Sequence, residues 1–147
     1  MKKIDIDTFL KFRFLSNPHF SPDGTKIAFT VSVPDRETNG YLSDLYLYDL
    51  GKKTVSRVTC SGDAKTWSWT AENTLIFTAA RTAALKKEKE NGTSFLYEIS
   101  PSGGEAQCIT SIPATVTGIR LLPDGRYLLT IRHDNYRDTR KKSYEVF

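Results

Sequence analysis

A chain of 147 residues with 39% hydrophobic, 12% aromatic and 26% charged side chains has the composition of a folded globular protein, which excludes disordered and fibrous classes. The length suits one domain with a core of its own. Lys+Arg 21 against Asp+Glu 17 leaves +4 and a pI near 9.1, too small and scattered an excess to indicate a nucleic-acid or membrane partner, and two cysteines exclude a disulfide scaffold.

At the N-terminus Lys2 and Lys3 imitate a charged leader, but Asp5 and Asp7 interrupt the segment after them and no apolar run of seven residues exists. No stretch approaches the ~18 apolar residues of a spanning helix. A cytoplasmic location is therefore the default expectation, and it makes the sequon Asn91-Gly92-Thr93 a chance match. Residues 7–14, with Phe9, Leu10, Phe12 and Phe14 clustered, predict a short helix capped by Asp7. The turn Phe20-Ser21-Pro22-Asp23-Gly24 comes next: Pro pre-sets φ, Asp favours the bend and Gly accepts positive φ at its exit. After it, Ile27, Phe29, Val31 and Val33 alternate with Ala28, Thr30 and Ser32, the period of a strand. A turn-like connection at 34–43 leads to strands at 44–50 and 54–59.

The same order then recurs. Trp67 and Trp69 open a second unit on one face of its first strand, where they read as packing anchors before a ligand platform. Trp69-Thr70-Ala71-Glu72-Asn73 is a degraded turn, with Asn73 in the glycine place because Asn best tolerates left-handed φ after Gly. Leu75, Phe77 and Ala79 form a strand. Residues 83–90 are an exposed, charged excursion, partly helical at most, whose Lys86, Lys87 and Lys89 are offset by Glu88 and Glu90. Strands at 94–100 and 105–110 complete the unit. Leu121-Leu122-Pro123-Asp124-Gly125 opens a third, with Tyr127, Leu129 and Ile131 alternating, a connection at 134–141 and a strand at 142–147.

Asp23 to Glu72 is 49 positions and Glu72 to Asp124 is 52. The tyrosines of Leu45-Tyr46, Leu96-Tyr97 and Ser143-Tyr144 stand 51 and 47 apart, and Thr59 and Thr110 stand 51 apart. Four short antiparallel strands per ~50 residues describe a β-propeller blade. An all-β sandwich is the alternative, but it has no reason to repeat a turn sequence at a fixed interval. The predicted fold is thus all-β, a partial propeller of about three four-stranded blades with a short N-terminal helix. Residues 1–14 form the helical segment, 15–62 blade one, 63–112 blade two and 113–147 an incomplete blade three. Propellers close radially with about four to eight blades, so an open sector exposes a blade face and an unpaired edge. The sequence reads as the N-terminal portion of a longer protein; assembly of copies into a ring, through open blade edges, is the other route to closure.

The opening Asp7-Thr8-Phe9-Leu10-Lys11-Phe12-Arg13-Phe14-Leu15-Ser16-Asn17-Pro18, running into the first turn, resembles the start of acylaminoacyl-peptidase-like enzymes, members of the prolyl oligopeptidase family of serine peptidases. Residues 95–106 also resemble their propeller repeats. The resemblance implies a propeller that covers an α/β-hydrolase domain and admits only short peptides. The partners it implies are that domain, which carries Ser, Asp and His, and the remaining blades. The chain departs from the full pattern: a nucleophile elbow needs Gly-x-Ser-x-Gly, and Cys60-Ser61-Gly62 and Ser102-Gly103-Gly104 lack its leading glycine. No catalytic, cofactor-binding or metal-ligating residue is assigned, and no cofactor. A competing reading is a non-enzymatic, TolB-like propeller that binds a protein partner.

The remaining candidates have plain readings. His19 and His133 are far apart in the chain and suit surface or blade packing better than a triad. Cys60 and Cys108 occupy different blade positions and read as free thiols rather than zinc ligands. Arg137, Arg140, Lys141 and Lys142 are mixed with Asp134 and Asp138 and read as a solvated loop. Asp23, Gly24, Asp124 and Gly125 are structural turn formers.

Overall fold

The computed structural model describes residues 6–132. A short helix α1 (Ile6–Phe9) precedes a four-stranded sheet of β1 (Phe14–Phe20), β2 (Lys26–Asp35), β3 (Gly40–Asp49) and β4 (Thr54–Arg57). The second sheet holds β5 (Trp67–Trp69), β6 (Leu75–Thr78), β7 (Ser94–Ile99) and β8 (Gln107–Ile112), with helix α2 (Ala83–Glu90) between β6 and β7. The third, among the described residues, is the hairpin of β9 (Thr115–Leu121) and β10 (Tyr127–Arg132). Every pairing between these strands is antiparallel and each four-stranded sheet runs in chain order, so strands do not alternate between two layers as a sandwich requires. The strand expected at 142–147, the connection at 134–141 and His133 lie outside the described residues.

The turn chemistry places the repeats in register. Gly24, Asn73 and Gly125 all have positive φ, at 70°, 60° and 81°. Their N–H groups donate to Ser21, Thr70 and Leu122 carbonyls at 2.8, 3.2 and 3.0 Å. The first turn is one residue longer than the other two: the Ser21, Thr70 and Leu122 N–H groups donate to the Lys26, Thr74 and Arg126 carbonyls, and counted from those carbonyls Thr30, Thr78 and Thr130 are equivalent. Phe29 and Phe77 each sit opposite a tyrosine, Tyr46 and Tyr97, and both pairs stack at 28° with centroids 6.1 and 6.0 Å apart.

Three local expectations need correction. The helix expected over 7–14 is confined to Ile6–Phe9, with Asp7 in its first turn, and Phe14 already belongs to β1, paired to Ser32. The hydrogen-bonding edge of β2 outweighs helical composition there. The connection expected at 34–43 shrinks to a tip, because β2 and β3 pair as far as Asp35 and Gly40. Asp35 makes that tip cheap by accepting the Thr38 N–H and hydroxyl, while Asn39 takes φ 47°. Residues 83–90 are helical throughout rather than in part. Thr82, extended at φ −117°, accepts the Leu85 N–H at 3.2 Å, so the N-terminus is capped.

The core lies between the first two sheets. Residues directly opposite across an antiparallel pair share a face, which places Ala28, Thr30, Leu45 and Leu47 on one side of the first sheet. Leu75, Phe77, Tyr97 and Ile99 occupy the facing side of the second. Ala28, Leu45 and Leu47 join these four in one buried cluster with Trp67, Trp69 and Phe95.

Candidate functional site

The two ends of the sector differ in bulk. Among the described residues, one end carries short links, including the tight turns at Gly24, Asn73 and Gly125. At the other lie α1, the β2–β3 tip, the link between the first two sheets and α2. There the α1 residues Asp7 and Phe9, with Leu10 after them, meet Pro34, Asp35, Arg36 and Tyr41 around an open cleft of about 300 Å³. Phe9, Phe12, Phe14 and Tyr41 form a chain of edge and tilted ring contacts at 5.8–6.5 Å, yet all four rings remain substantially exposed. An exposed aromatic cluster of this kind marks an interaction surface. The Asp7–Arg36 pair beside it spans 3.9 Å with both side chains in solvent, so it contributes little.

α2 is tethered to this end by Leu85, which is partly buried against the core, and by polar contacts at its two ends. Asp63, in the link between sheets, accepts the Ala80 N–H at 2.7 Å and the Lys89 ammonium at 3.1 Å. Arg81, just before the helix, lies 5.7 Å from the centre of the Tyr97 ring and donates to the Ala106 carbonyl. Burial pushes the Tyr97 hydroxyl up from its ordinary pKa.

Inner strands meet side by side. Trp67 donates its indole N–H to Thr30 Oγ1 at 2.9 Å, and Trp69 donates to the His19 carbonyl at 3.1 Å. Both indoles are buried, so the packing role expected of them holds and their polar tips are satisfied across the sheet boundary. β5 in turn lies against β9. His19 stands edge-on to Trp67 and bonds the Asn17 side-chain oxygen at 2.9 Å rather than a serine or a carboxylate. Asn17 has φ 55° and interrupts the β1–β2 register between Ser16 and His19. At the tight-turn end, Asn73 Oδ1 accepts the Asp23 N–H at 3.0 Å, joining two equivalent turns.

The sequence reading missed an ionic network on the first sheet. Asp44, buried on β3, accepts from Arg57 Nη2 at 2.6 Å, Thr59 Oγ1 at 2.8 Å and the Gly62 N–H at 3.1 Å. Thr59 Oγ1 also accepts the Leu45 N–H, and Asp44 raises the Arg57 pKa. Thr59 had signalled itself as a repeat marker; Asp44 had not, since its counterpart in the second unit is Phe95.

That network lies on the side of the first sheet that faces away from the second. Register puts Leu15, Phe20, Ile27, Phe29, Tyr46, Tyr48 and Val55 there too. Phe20 is 63% exposed, whereas Phe77 and Tyr97, the counterparts of the half-buried Phe29 and Tyr46, are 2% and 5% exposed.

Cys60 and Cys108 are exposed free thiols, on the link after β4 and on β8. Asp23 and Asp124 hold their turns by accepting the N–H two residues on. Arg137, Arg140, Lys141 and Lys142 lie outside the described residues. Among the described residues no three His, Cys, Asp or Glu side chains gather in a way that could hold a metal ion, and no helix is long and apolar enough to cross a membrane.

No protein-family model matches the chain. Over 99% of its length the chain is 29% identical to the uncharacterized peptidase YuxL of Bacillus subtilis (strain 168), of which it covers 22%. An acylaminoacyl peptidase in complex with Z-Gly-Gly-Phe-chloromethyl ketone superposes with a TM-score of 0.65 at 18% identity, over 88% of this chain and 20% of that one. The acylaminoacyl peptidase of Pyrococcus horikoshii gives 0.63 at 18%, over 86% and 19%. The β-propeller domain of the Trilobed protease from Pyrococcus furiosus gives 0.59 at 16%, over 82% and 34%. The chain thus spans about a fifth of the length of the peptidases it matches. Its sheets are consecutive blades of a partial, all-β propeller, and the expected likeness to a peptidase propeller is borne out.

Proposed function

We propose that the chain is the N-terminal propeller portion of an acylaminoacyl-peptidase-like serine peptidase, a hydrolase whose α/β-hydrolase domain and remaining blades lie outside these residues. In that protein the blades would enclose the catalytic chamber and restrict entry to short peptides, while the catalytic Ser, Asp and His would come from the other domain. The observation that carries this reading is the 29% identity to a peptidase along 99% of the chain, at 22% of that relative's length. The exposed Phe9, Phe12, Phe14 and Tyr41 cluster supports it as a surface on which the hydrolase domain would dock.

The test is made on the intact protein with a series of acyl-peptide substrates of increasing length. Cleavage is expected to fall off with length, and removal of residues 1–147 is expected to extend the range of lengths cleaved. A length profile unchanged by that removal rejects gating; a full-length protein without Gly-x-Ser-x-Gly followed by Asp and His rejects the peptidase reading itself.

A further inference from the structure

The three sheets converge on their first strands. Trp69 of β5 bonds the His19 carbonyl of β1 and β5 lies against β9, whereas β4 and β8 run out into solvent. Propeller blades stand around a central channel, so β1, β5 and β9 form its wall, each with one edge unpaired toward the axis.

Register assigns that wall its side chains. Ala28, Ile76 and Leu128 stand two residues beyond the Lys26, Thr74 and Arg126 carbonyls that close the three turns. Opposite them on the first strands are His19, Ser68 and Arg120, which therefore share one level of the channel. The next level, opposite Thr30, Thr78 and Thr130, holds Ser16, Thr66 and Gly118. Across both levels the wall carries one guanidinium, one imidazole and three hydroxyls, with no carboxylate and no apolar side chain. Of the turn carboxylates beyond it, Asp23 and Asp124 are bonded within their own turns and Glu72 stands in solvent.

His19 shows that this level opens onto the axis. It shares a face with Ala28, the side that the second sheet covers, and its ring stands edge-on to Trp67 at 5.7 Å, yet the residue is exposed. Exposure on a covered side leaves the inner edge as the direction it faces. The backbone bends to hold it there. Asn17, at φ 55°, and Pro18 bulge opposite Phe29, and Asn17 Oδ1 accepts from the imidazole at 2.9 Å. β5 reaches the same level in unbroken register.

We propose that this level binds the carboxylate end of a short peptide passing along the channel. Arg120 pairs with its charge, since a guanidinium matches a carboxylate in shape as well as sign. The Ser68 hydroxyl, which bonds the Trp69 carbonyl at 3.2 Å, turns to donate beside it. The contact deepens the peptidase reading, on which it rests for the identity of the peptide.

The test is made on the intact protein. Ser16→Cys sets a thiol one level along the wall, to be labelled with sulfonatoethyl or trimethylammonioethyl methanethiosulfonate and read by mass at residue 16. Relative to a small free thiol, the anionic reagent is expected to be favoured about threefold. Acetyl-trialanine is expected to slow the labelling and its amide to leave it unchanged. Arg120→Met in that background is expected to abolish both effects, while Arg120→Lys keeps the bias, which separates loss of charge from loss of fold. A wild-type wall without bias, a bias that survives Arg120→Met, or equal protection by both peptides overturns the proposal. In hydrolysis, Arg120→Met is expected to raise KM about tenfold for acyl peptides with a free carboxylate, with kcat and the KM of their amides unchanged. An equal rise for both overturns it too. A protein that hydrolyses neither rejects the peptidase reading alone, because the labelling decides the site without hydrolysis.

Discussion

Asp23 stands in solvent, yet three donors converge on its Oδ1: the Ser21 hydroxyl at 2.6 Å, the Thr25 N–H at 3.0 Å and the Thr25 hydroxyl at 2.9 Å. The Ser21 bond leads in holding the carboxyl down from its ordinary 3.8 to about 2, and the two Thr25 bonds add to it. Asp35, under the Thr38 hydroxyl, and Asp124, beside the Arg126 guanidinium, are held low as well. A carboxylate with a folded pKa below its unfolded one stabilises the fold above the unfolded value and loses that contribution as pH falls through the folded value. The thermal midpoint is therefore expected to drop between about pH 4 and about pH 2, where such carboxylates take up protons. Asp23→Asn cannot titrate, and its midpoint is expected to fall less over that window. An equal slope in the variant would show that Asp23 does not contribute to the acid sensitivity.

Between elements, the indoles of β5 tie the second sheet to the first. Trp67 is 3% exposed, and its N–H has Thr30 Oγ1 as partner in a region closed to water. Trp67→Phe keeps an aromatic ring but removes that donor and part of the ring volume, for an expected loss of about 2 kcal/mol in urea unfolding. Thr30→Val removes the acceptor instead. If the bond matters as drawn, the double variant is expected to lose about 1 kcal/mol less than the sum of the single losses. The tryptophans' place was legible in the sequence because two of them alternate on one strand just ahead of a repeat turn. The blade order was legible for the same reason, since turn chemistry at Asp23, Glu72 and Asp124 is local. What sequence could not supply came from pairing across distance. Phe14 has helix-like neighbours, and only its partner Ser32 makes it a strand residue. Residues 40–43 look turn-like until they pair with β2. Asp44 and Arg57 lie 13 residues apart with nothing in either neighbourhood to announce that an exposed guanidinium pairs with a buried carboxylate.

At the scale of the molecule, stability depends on how many faces of each sheet are covered. The second sheet lies between the other two: all of β6 is buried, as is β7 apart from Glu98. The first sheet is covered on one side, with every residue of β1 and β4 exposed. The third is thinner still, a hairpin whose β10 keeps only Leu129 from full exposure. Local opening costs least where few apolar contacts break, so protection is expected to be graded across the sector. In hydrogen exchange, run dilute enough to keep chains apart, the amides of β6 and β7 are expected to be the slowest and to report global unfolding. Those pairing β9 with β10 are expected to exchange at least about tenfold faster, through opening of the hairpin alone. The β2–β3 pair is expected to fall between, long in register but bare on its outer side. Uniform protection across all three sheets would instead mean that the hairpin unfolds only with the rest, and that the outer faces are covered even in the isolated chain.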